Sequence, residues 1–180
     1  MKQKIRWITR TAVFLALLVV LQSVTKPAGQ IVTGSCVNAV LAVSVLCAGL
    51  ASGLTVALLS PLFAFLLGIG PAFFPLTPVI AVGNAVFVSL LWLLAGRKQN
   101  PLWKTAGGMA AASSAKFLCL YFLVVEGVCR FAELKPQQVK TFTTMFSFPQ
   151  LITALIGCAV AWIIVPIVTK AMNTTLGGKS

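Results

Sequence analysis

Residues Ala106–Val128, AGGMAAASSAKFLCLYFLVVEGV, form an apolar stretch long enough to cross a bilayer, with Lys116 near its middle. A cation at that depth costs roughly 3 kcal/mol on insertion scales. Lys116 lies about 18 Å past Lys104 along a helix, whereas a lysine stem reaches roughly 6 Å, so snorkelling does not easily bring its ammonium to either surface. We therefore expect Lys116 to face a cavity, a partner or an anionic ligand.

The composition around this stretch predicts an all-α integral membrane protein. Of the 180 residues, 59% are hydrophobic and only 9% are charged, and the mean hydropathy is +1.01, whereas a soluble domain carries about 25% charged residues. With no long polar segment, we expect one transmembrane domain over residues 1–180. Its six transmembrane helices are predicted at about 9–23, 31–48, 53–69, 76–95, 106–128 and 151–169.

The charges predict the orientation. The chain carries 14 basic and 2 acidic residues, and because most of the basic residues flank apolar segments, they indicate topology and lipid headgroups rather than nucleic acid. With a cytoplasmic N-terminus, the inside segments hold Lys2, Lys4, Arg6, Arg10, Arg97, Lys98, Lys104, Lys170 and Lys179, and the outside segments hold Lys26, Arg130, Lys135 and Lys140. The positive-inside rule thus predicts that both termini of this multi-pass cell-membrane protein are cytoplasmic.

The inventory of reactive residues argues against an enzyme. There is no histidine, and Glu126 and Glu133 are the only acidic residues, so no metal site, cofactor or paired carboxylates are expected. No nucleotide-binding Walker A sequence is present. An alternative that stays open is a Ser–Lys dyad from Ser113 and Lys116, which share a helix face. Glu126 and Arg130 have the spacing of a helical ion pair.

Two segments between the predicted helices are expected to lie outside. Pro61 should kink the third helix, and the proline-rich run from Gly68 to Pro78 cannot be helical throughout. The segment Cys129–Pro149 is the longest connection and contains several phenylalanines. Because long loops are often lids, we expect this one to pack on the membrane domain.

Polar residues are biased toward the outer halves of the predicted helices. With Lys116 they suggest an outward-facing pocket, walled by Phe73, Phe74 or Tyr121. The alternative is that these groups only form hydrogen bonds between helices. The candidate substrate-binding residues are Lys116, Asn84, Asn38, Tyr121, Gln150 and Thr77.

The chain resembles a substrate-binding S component of an energy-coupling factor (ECF) vitamin transporter. Besides its length and six helices, the first helix contains Ala12-Val-Phe-Leu-Ala16, an AxxxA pattern that leaves a flat strip for close helix approach. The stretch Gly34-Ser-Cys-Val-Asn-Ala-Val-Leu41, the residues Gly49–Gly53, the run Pro61–Pro78 and Gly83-Asn84 also resemble that family's middle portion.

The resemblance implies a function. An S component captures a vitamin or related micronutrient from outside with high affinity, and docks through its first helix on a transmembrane T component that carries two ATPase subunits. ATP hydrolysis then helps to topple it and release the substrate inside. By resemblance, Ala12 and Ala16 would contact the T component, and the pocket would lie in the outer halves of the later helices. If Lys116 is a ligand, an anionic substrate such as a carboxylate-bearing vitamin is favoured.

Two other functional classes stay open at this point. A non-catalytic membrane scaffold or assembly protein would also explain the helices and the AxxxA pattern. A standalone secondary carrier is disfavoured because the chain is short, has no evident inverted repeat and lacks buried carboxylates.

Overall fold

The computed structural model describes residues 2–96 and 101–177, and the regular secondary structure of those residues is helical throughout. We label the seven longer helices α1 to α7 in chain order. They are α1 (Lys2–Thr25), α2 (Gln30–Ala48), α3 (Leu50–Leu66), α4 (Leu76–Leu94), α5 (Leu102–Leu120), α6 (Pro136–Phe146) and α7 (Phe148–Gly177). Arg97, Lys98 and Lys179, which contribute to the predicted inside charge, lie outside the described residues.

Six of these helices are apolar, one for each of the six predicted segments. Within the described residues, five candidate spans have the length and composition needed to cross a membrane, and α3 is a shorter apolar helix of 17 residues. The first helix is longer than its apolar segment, because α1 continues through the polar residues at both ends of the predicted range 9–23. Pro61 lies inside α3 without ending it.

Glycines with positive φ end or separate the first helices. Gly29 (φ 89°) follows a short 3-10 turn, Lys26–Ala28, between α1 and α2. Gly49 (φ 87°) is the single residue between α2 and α3, so this connection is shorter than the gap between the predicted ranges 31–48 and 53–69. Gly68 (φ 64°) follows the end of α3, where the amides of Ile69 and Gly70 both donate to the carbonyl of Ala64. The third helix therefore stops at Leu66, before the predicted boundary at residue 69.

Helix α2 lies at the centre of the bundle and packs against α1, α3, α4 and α7. Its buried Leu41 and Val45 join Leu18, Val56 and Phe87 in one apolar core. Glycine allows the closest approach: a Cβ atom on Gly157 of α7 would lie only 2.5 Å from the Cβ of an α2 asparagine. Close packing of this kind is what holds helices together in lipid.

The segment Cys129–Pro149, expected to be a long loop, is largely helical. Helix α5 continues as a π-helix over Tyr121–Val128 and an α-helical turn over Cys129–Phe131, and α6 then follows. Helix α6 is amphipathic, and its Phe142 and Phe146 are buried in a second apolar cluster. This segment packs on the domain as expected, but it does so as a helix rather than as a loop. The apolar stripe of this helix is short, and most of its other residues are polar.

The predicted Glu126–Arg130 ion pair is confirmed. Nη1 of Arg130 lies 3.0 Å from Oε2 of Glu126 at the end of the extended α5, where the Arg130 side chain is 70% and the Glu126 side chain 41% exposed. Exposed pairs of this type contribute about 0.2–1 kcal/mol, so this pair is a helix-end feature rather than a site.

Candidate functional site

A cavity of about 310 Å³ lies at one end of the bundle. It is bounded by the last turns of α1, α3 and α5, the first turns of α2 and α4, and the junction of α6 and α7. Its polar lining consists of one cation with amide and hydroxyl groups: Gln22, Gln30, Thr33, Asn38, Ser60, Thr77, Asn84, Lys116 and Gln150. Its apolar wall includes Phe65, Ile69, Leu76, Ile80, Leu120, Met145 and Phe146.

Lys116 forms the charged part of this lining and is only 3% exposed. Its Nζ donates to Oδ1 of Asn38 at 2.5 Å and to Oδ1 of Asn84 at 2.7 Å. It also lies 5.2 Å from the centre of the Phe87 ring, within the range of a cation–π interaction. Helices α2, α4 and α5 thus each supply one polar member of the group.

The amide group of Asn38 extends this network to α7. Its Nδ2 donates to Oγ1 of Thr153 at 3.3 Å, and that hydroxyl donates to the carbonyl of Gln150 at 3.1 Å. Asn38 therefore uses its oxygen for the lysine and its nitrogen for α7. This division fixes the orientation of the amide, so that its acceptor side faces the cation.

Neither glutamate of the chain neutralises Lys116. The chain has two acidic residues, Glu126 and Glu133; the first pairs with Arg130 and the second is exposed. The ammonium is therefore held by neutral groups alone, although charges in protein interiors are usually paired. A cavity with one uncompensated cation attracts an anion.

The α1–α2 and α3–α4 connections are joined to each other at the cavity end of the bundle. Nζ of Lys26, from the turn after α1, donates to the carbonyl of Gly68 at 2.5 Å. The same α3–α4 connection contributes Ile69, Gly70 and Pro71 to the lining. The hydrogen bond thus joins the α1–α2 connection to the segment that forms the cavity wall.

Five of the six predicted substrate-binding residues line this cavity, and Tyr121 is not among its lining residues. Tyr121 lies five residues after Lys116, which places it about 140° around the helix at 3.6 residues per turn. Its ring packs instead against Phe117 and Phe122, with centroids 6.0 and 5.8 Å away.

The two phenylalanines predicted as possible walls are also outside the lining. Phe73 packs against Phe142 at a centroid distance of 6.1 Å, and Phe74 is 56% exposed with its ring edge against Phe65. The aromatic side chains that do line the cavity are Phe65 and Phe146.

Several residues that line the cavity, above all Gln22 and Ser60, were not predicted from the sequence. A glutamine in the last turn of an apolar helix is a signal that could have identified Gln22. Ser60 had no such signal, because serines in membrane helices usually bond their own backbone. The side chains of both residues contain a buried polar atom without a hydrogen-bond partner, Oε1 of Gln22 and Oγ of Ser60.

The Ser113–Lys116 dyad does not form. The Ser113 hydroxyl donates to the carbonyl of Met109 at 2.8 Å and lies 3.6 Å from Sγ of Cys158, while the lysine binds the two asparagines. Among the described residues there is also no cluster of ligating side chains that could hold a metal ion.

Ala12 and Ala16 lie on the outward face of α1, and both are exposed. The opposite face is attached to the bundle, where Oγ1 of Thr11 lies 2.7 Å from Oγ of Ser52 on α3. The strip of small residues is therefore free to meet lipid or another protein, and neither alanine lines the cavity.

Comparison with known proteins identifies the family. Residues 6–169 match the family model for the substrate-specific component of ECF transporters. No curated protein and no solved structure shows a significant match. Because the matched range covers most of the chain, this protein belongs to the family of ECF transporter substrate-specific components.

Proposed function

We propose that this protein is the high-affinity capture subunit for ATP-driven uptake of a vitamin or related micronutrient that carries an anionic group. Membership of the family supports the capture role. The observation that favours an anion is the buried ammonium of Lys116, which lines the cavity without a carboxylate partner.

The hydrogen bonds of Lys116 leave room for a ligand oxygen. An ammonium group has three N–H donors, and Asn38 and Asn84 accept two of them. A carboxylate or phosphate oxygen on the cavity side would take the third and neutralise the charge. Such charge-assisted bonds are roughly twice as strong as neutral ones.

The size and lining of the cavity favour a small ligand. Its volume of about 310 Å³ lies at the lower end of the ~300–1,000 Å³ typical of small-molecule sites. Apolar side chains such as Phe65 and Ile80 would cover the body of the ligand, and the amide groups would orient it.

The proposed partners are a transmembrane T component and two ATPase subunits. The exposed Ala12 and Ala16 support docking through α1, because small residues allow close helix approach. The proposed location is the bacterial plasma membrane with both termini in the cytoplasm, following the positive-inside rule. The cavity end of the bundle, opposite the N-terminus of α1, would then face outward.

Native mass spectrometry after co-expression with an ECF energising module tests the role. We expect a complex with one T component and two ATPases, and loss of that complex in Ala12→Leu/Ala16→Leu. Bare protein under all gentle detergent conditions would favour the scaffold alternative. Uptake by the purified protein alone in vesicles would favour the standalone carrier.

A thermal-shift panel of matched pairs tests the anion. Suitable pairs are nicotinate with nicotinamide, 4-aminobenzoate with its ethyl ester, and biotin with its methyl ester. Only a compound that binds the folded state raises the melting temperature. We expect stabilisation by a carboxylate but not by its neutral counterpart, and equal stabilisation within every pair would exclude the role given to Lys116.

A further inference from the structure

We infer that Gln22 and Ser60 recognise a hydrogen-bond donor group on the substrate, so that the cavity selects a molecule combining an anionic group with a separate N–H or O–H donor. This inference rests on the proposed function, because it concerns the same cavity. The inference adds a second recognition point to the proposed site. This point lies on helices α1 and α3 and is distinct from Lys116 and its two asparagines.

Ser60 differs from the other buried serines of the bundle. Ser44 and Ser113 donate to carbonyls of their own helices at 2.8 Å, and Ser52 pairs with Thr11. Ser60 is only 2% exposed and lines the cavity, yet its Oγ has no partner. An unpaired buried hydroxyl is unfavourable, and such groups in native proteins call for an explanation. A ligand that bonds Ser60 supplies one.

Gln22 shows the same feature on a neighbouring helix. Its Oε1 is buried without a partner, and Gln22 is the α1 residue that lines the cavity. An amide oxygen only accepts hydrogen bonds. The matching group on a ligand must therefore be an N–H or O–H donor, and the Ser60 hydroxyl, which can donate or accept, is compatible with the same group.

The two recognition points lie at different distances from the ends of their own helices. Asn38 and Asn84, which hold the lysine, lie about 12 Å along the axis from the first residues of α2 and α4. Gln22 lies about 5 Å from the end of α1, and Ser60 about 9 Å from the end of α3. A substrate that reaches both points would place its anionic group at the asparagines and its donor at Gln22 and Ser60. A site built in this way rejects analogues that lack the donor, because its polar groups then stay unpaired.

The first test compares the stability of two serine variants on one helix, in the purified full chain without added ligand. Ser60→Ala removes an unpaired hydroxyl, so we expect its melting temperature to equal or exceed that of the wild type. Ser52→Ala is the matched control, since it breaks a buried hydrogen bond between α1 and α3, and we expect it to lower the melting temperature. If the melting temperature of Ser60→Ala falls as much as that of Ser52→Ala, Ser60 has a structural role and its assignment to ligand recognition is overturned.

The second test uses carboxylates that differ in a donor group: 4-aminobenzoate with benzoate, and biotin with lipoate, which lacks the N–H groups of biotin. We expect the wild type to bind the donor-bearing member of a pair more tightly. Ser60→Ala and Gln22→Met should weaken that binding about tenfold, the effect of one lost hydrogen bond, and leave the donor-free member unchanged.

The outcomes separate this inference from the proposed function. If Gln22→Met and Ser60→Ala weaken the binding of both members of a pair equally, donor recognition is refuted. Absence of any binding in a protein that still assembles with its energising module would refute the substrate class and leave the family role intact. Failure of assembly together with failure of binding would instead refute the proposed function.

Discussion

Replacing Lys116 by methionine should abolish the preference for carboxylates without unfolding the protein. The change leaves the oxygens of Asn38 and Asn84 without their donor, at a cost of about 1–3 kcal/mol each. It also removes a buried charge that has no counter-ion, and the desolvation penalty of such an ion is several kcal/mol. Because these terms oppose each other, we expect the net change in stability to be a few kcal/mol at most.

Lys116→Met should weaken the binding of carboxylates strongly and leave the binding of neutral analogues unchanged. A hydrogen bond to a charged group contributes about 1.5–3 kcal/mol, so losing the one from Lys116 should weaken carboxylate binding roughly 10- to 150-fold. Neutral amides or esters of the same compounds should bind Lys116→Met as weakly as they bind the wild type.

Isothermal titration in detergent with the matched acid and neutral pairs measures this difference directly. Lys104→Met is the control, since Lys104 is an exposed cation on the same helix, 5.4 Å from the centre of the Trp103 ring. The reasoning fails if Lys116→Met binds the carboxylates with wild-type affinity, because the ammonium would then serve only to tie the asparagines together.

Three further predictions concern the bundle. Ala16→Leu should prevent assembly with the T component in co-purification while leaving thermal stabilisation by ligands unchanged; loss of both would indicate a fold defect. Gly157→Ala should destabilise the protein by about 1–3 kcal/mol, because the new methyl group would lie 2.5 Å from a Cβ of α2, whereas Gly107→Ala, with nothing within 4 Å, should not lower the melting temperature. Thr11→Val should lower the free energy of unfolding by about 0.6 kcal/mol, the contribution of a typical interhelical hydrogen bond, because it leaves Ser52 without its partner. A decrease of several kcal/mol would mean that this contact orders more than two side chains.

The sequence was most informative where one physical requirement dominated. A lysine far from either helix end requires polar partners, and this argument led to Lys116 and to the nearby asparagines. The six apolar segments were equally clear, because apolar length is a strong signal.

The other features of the site and fold could not be predicted from the sequence, because they depend on tertiary geometry. Tyr121 does not line the cavity because it lies about 140° around the helix from Lys116. Helix α6 was not predicted as a helix because its apolar stripe is short and most of its other residues are polar, although Phe142 and Phe146 are buried. Ser60 was missed because only the three-dimensional structure shows which buried hydroxyl lacks a partner.

The chain order of the lysine's partners has a consequence for biogenesis. Synthesis proceeds from the N-terminus, so the helices bearing Asn38 and Asn84 are made before α5 leaves the ribosome. Their amide oxygens are thus already available when the lysine-bearing helix reaches the membrane. A truncated chain that starts after α4 would present Lys116 to lipid without either acceptor, and α5 should then insert poorly. We therefore expect correct integration of this helix to depend on the helices that are synthesised earlier.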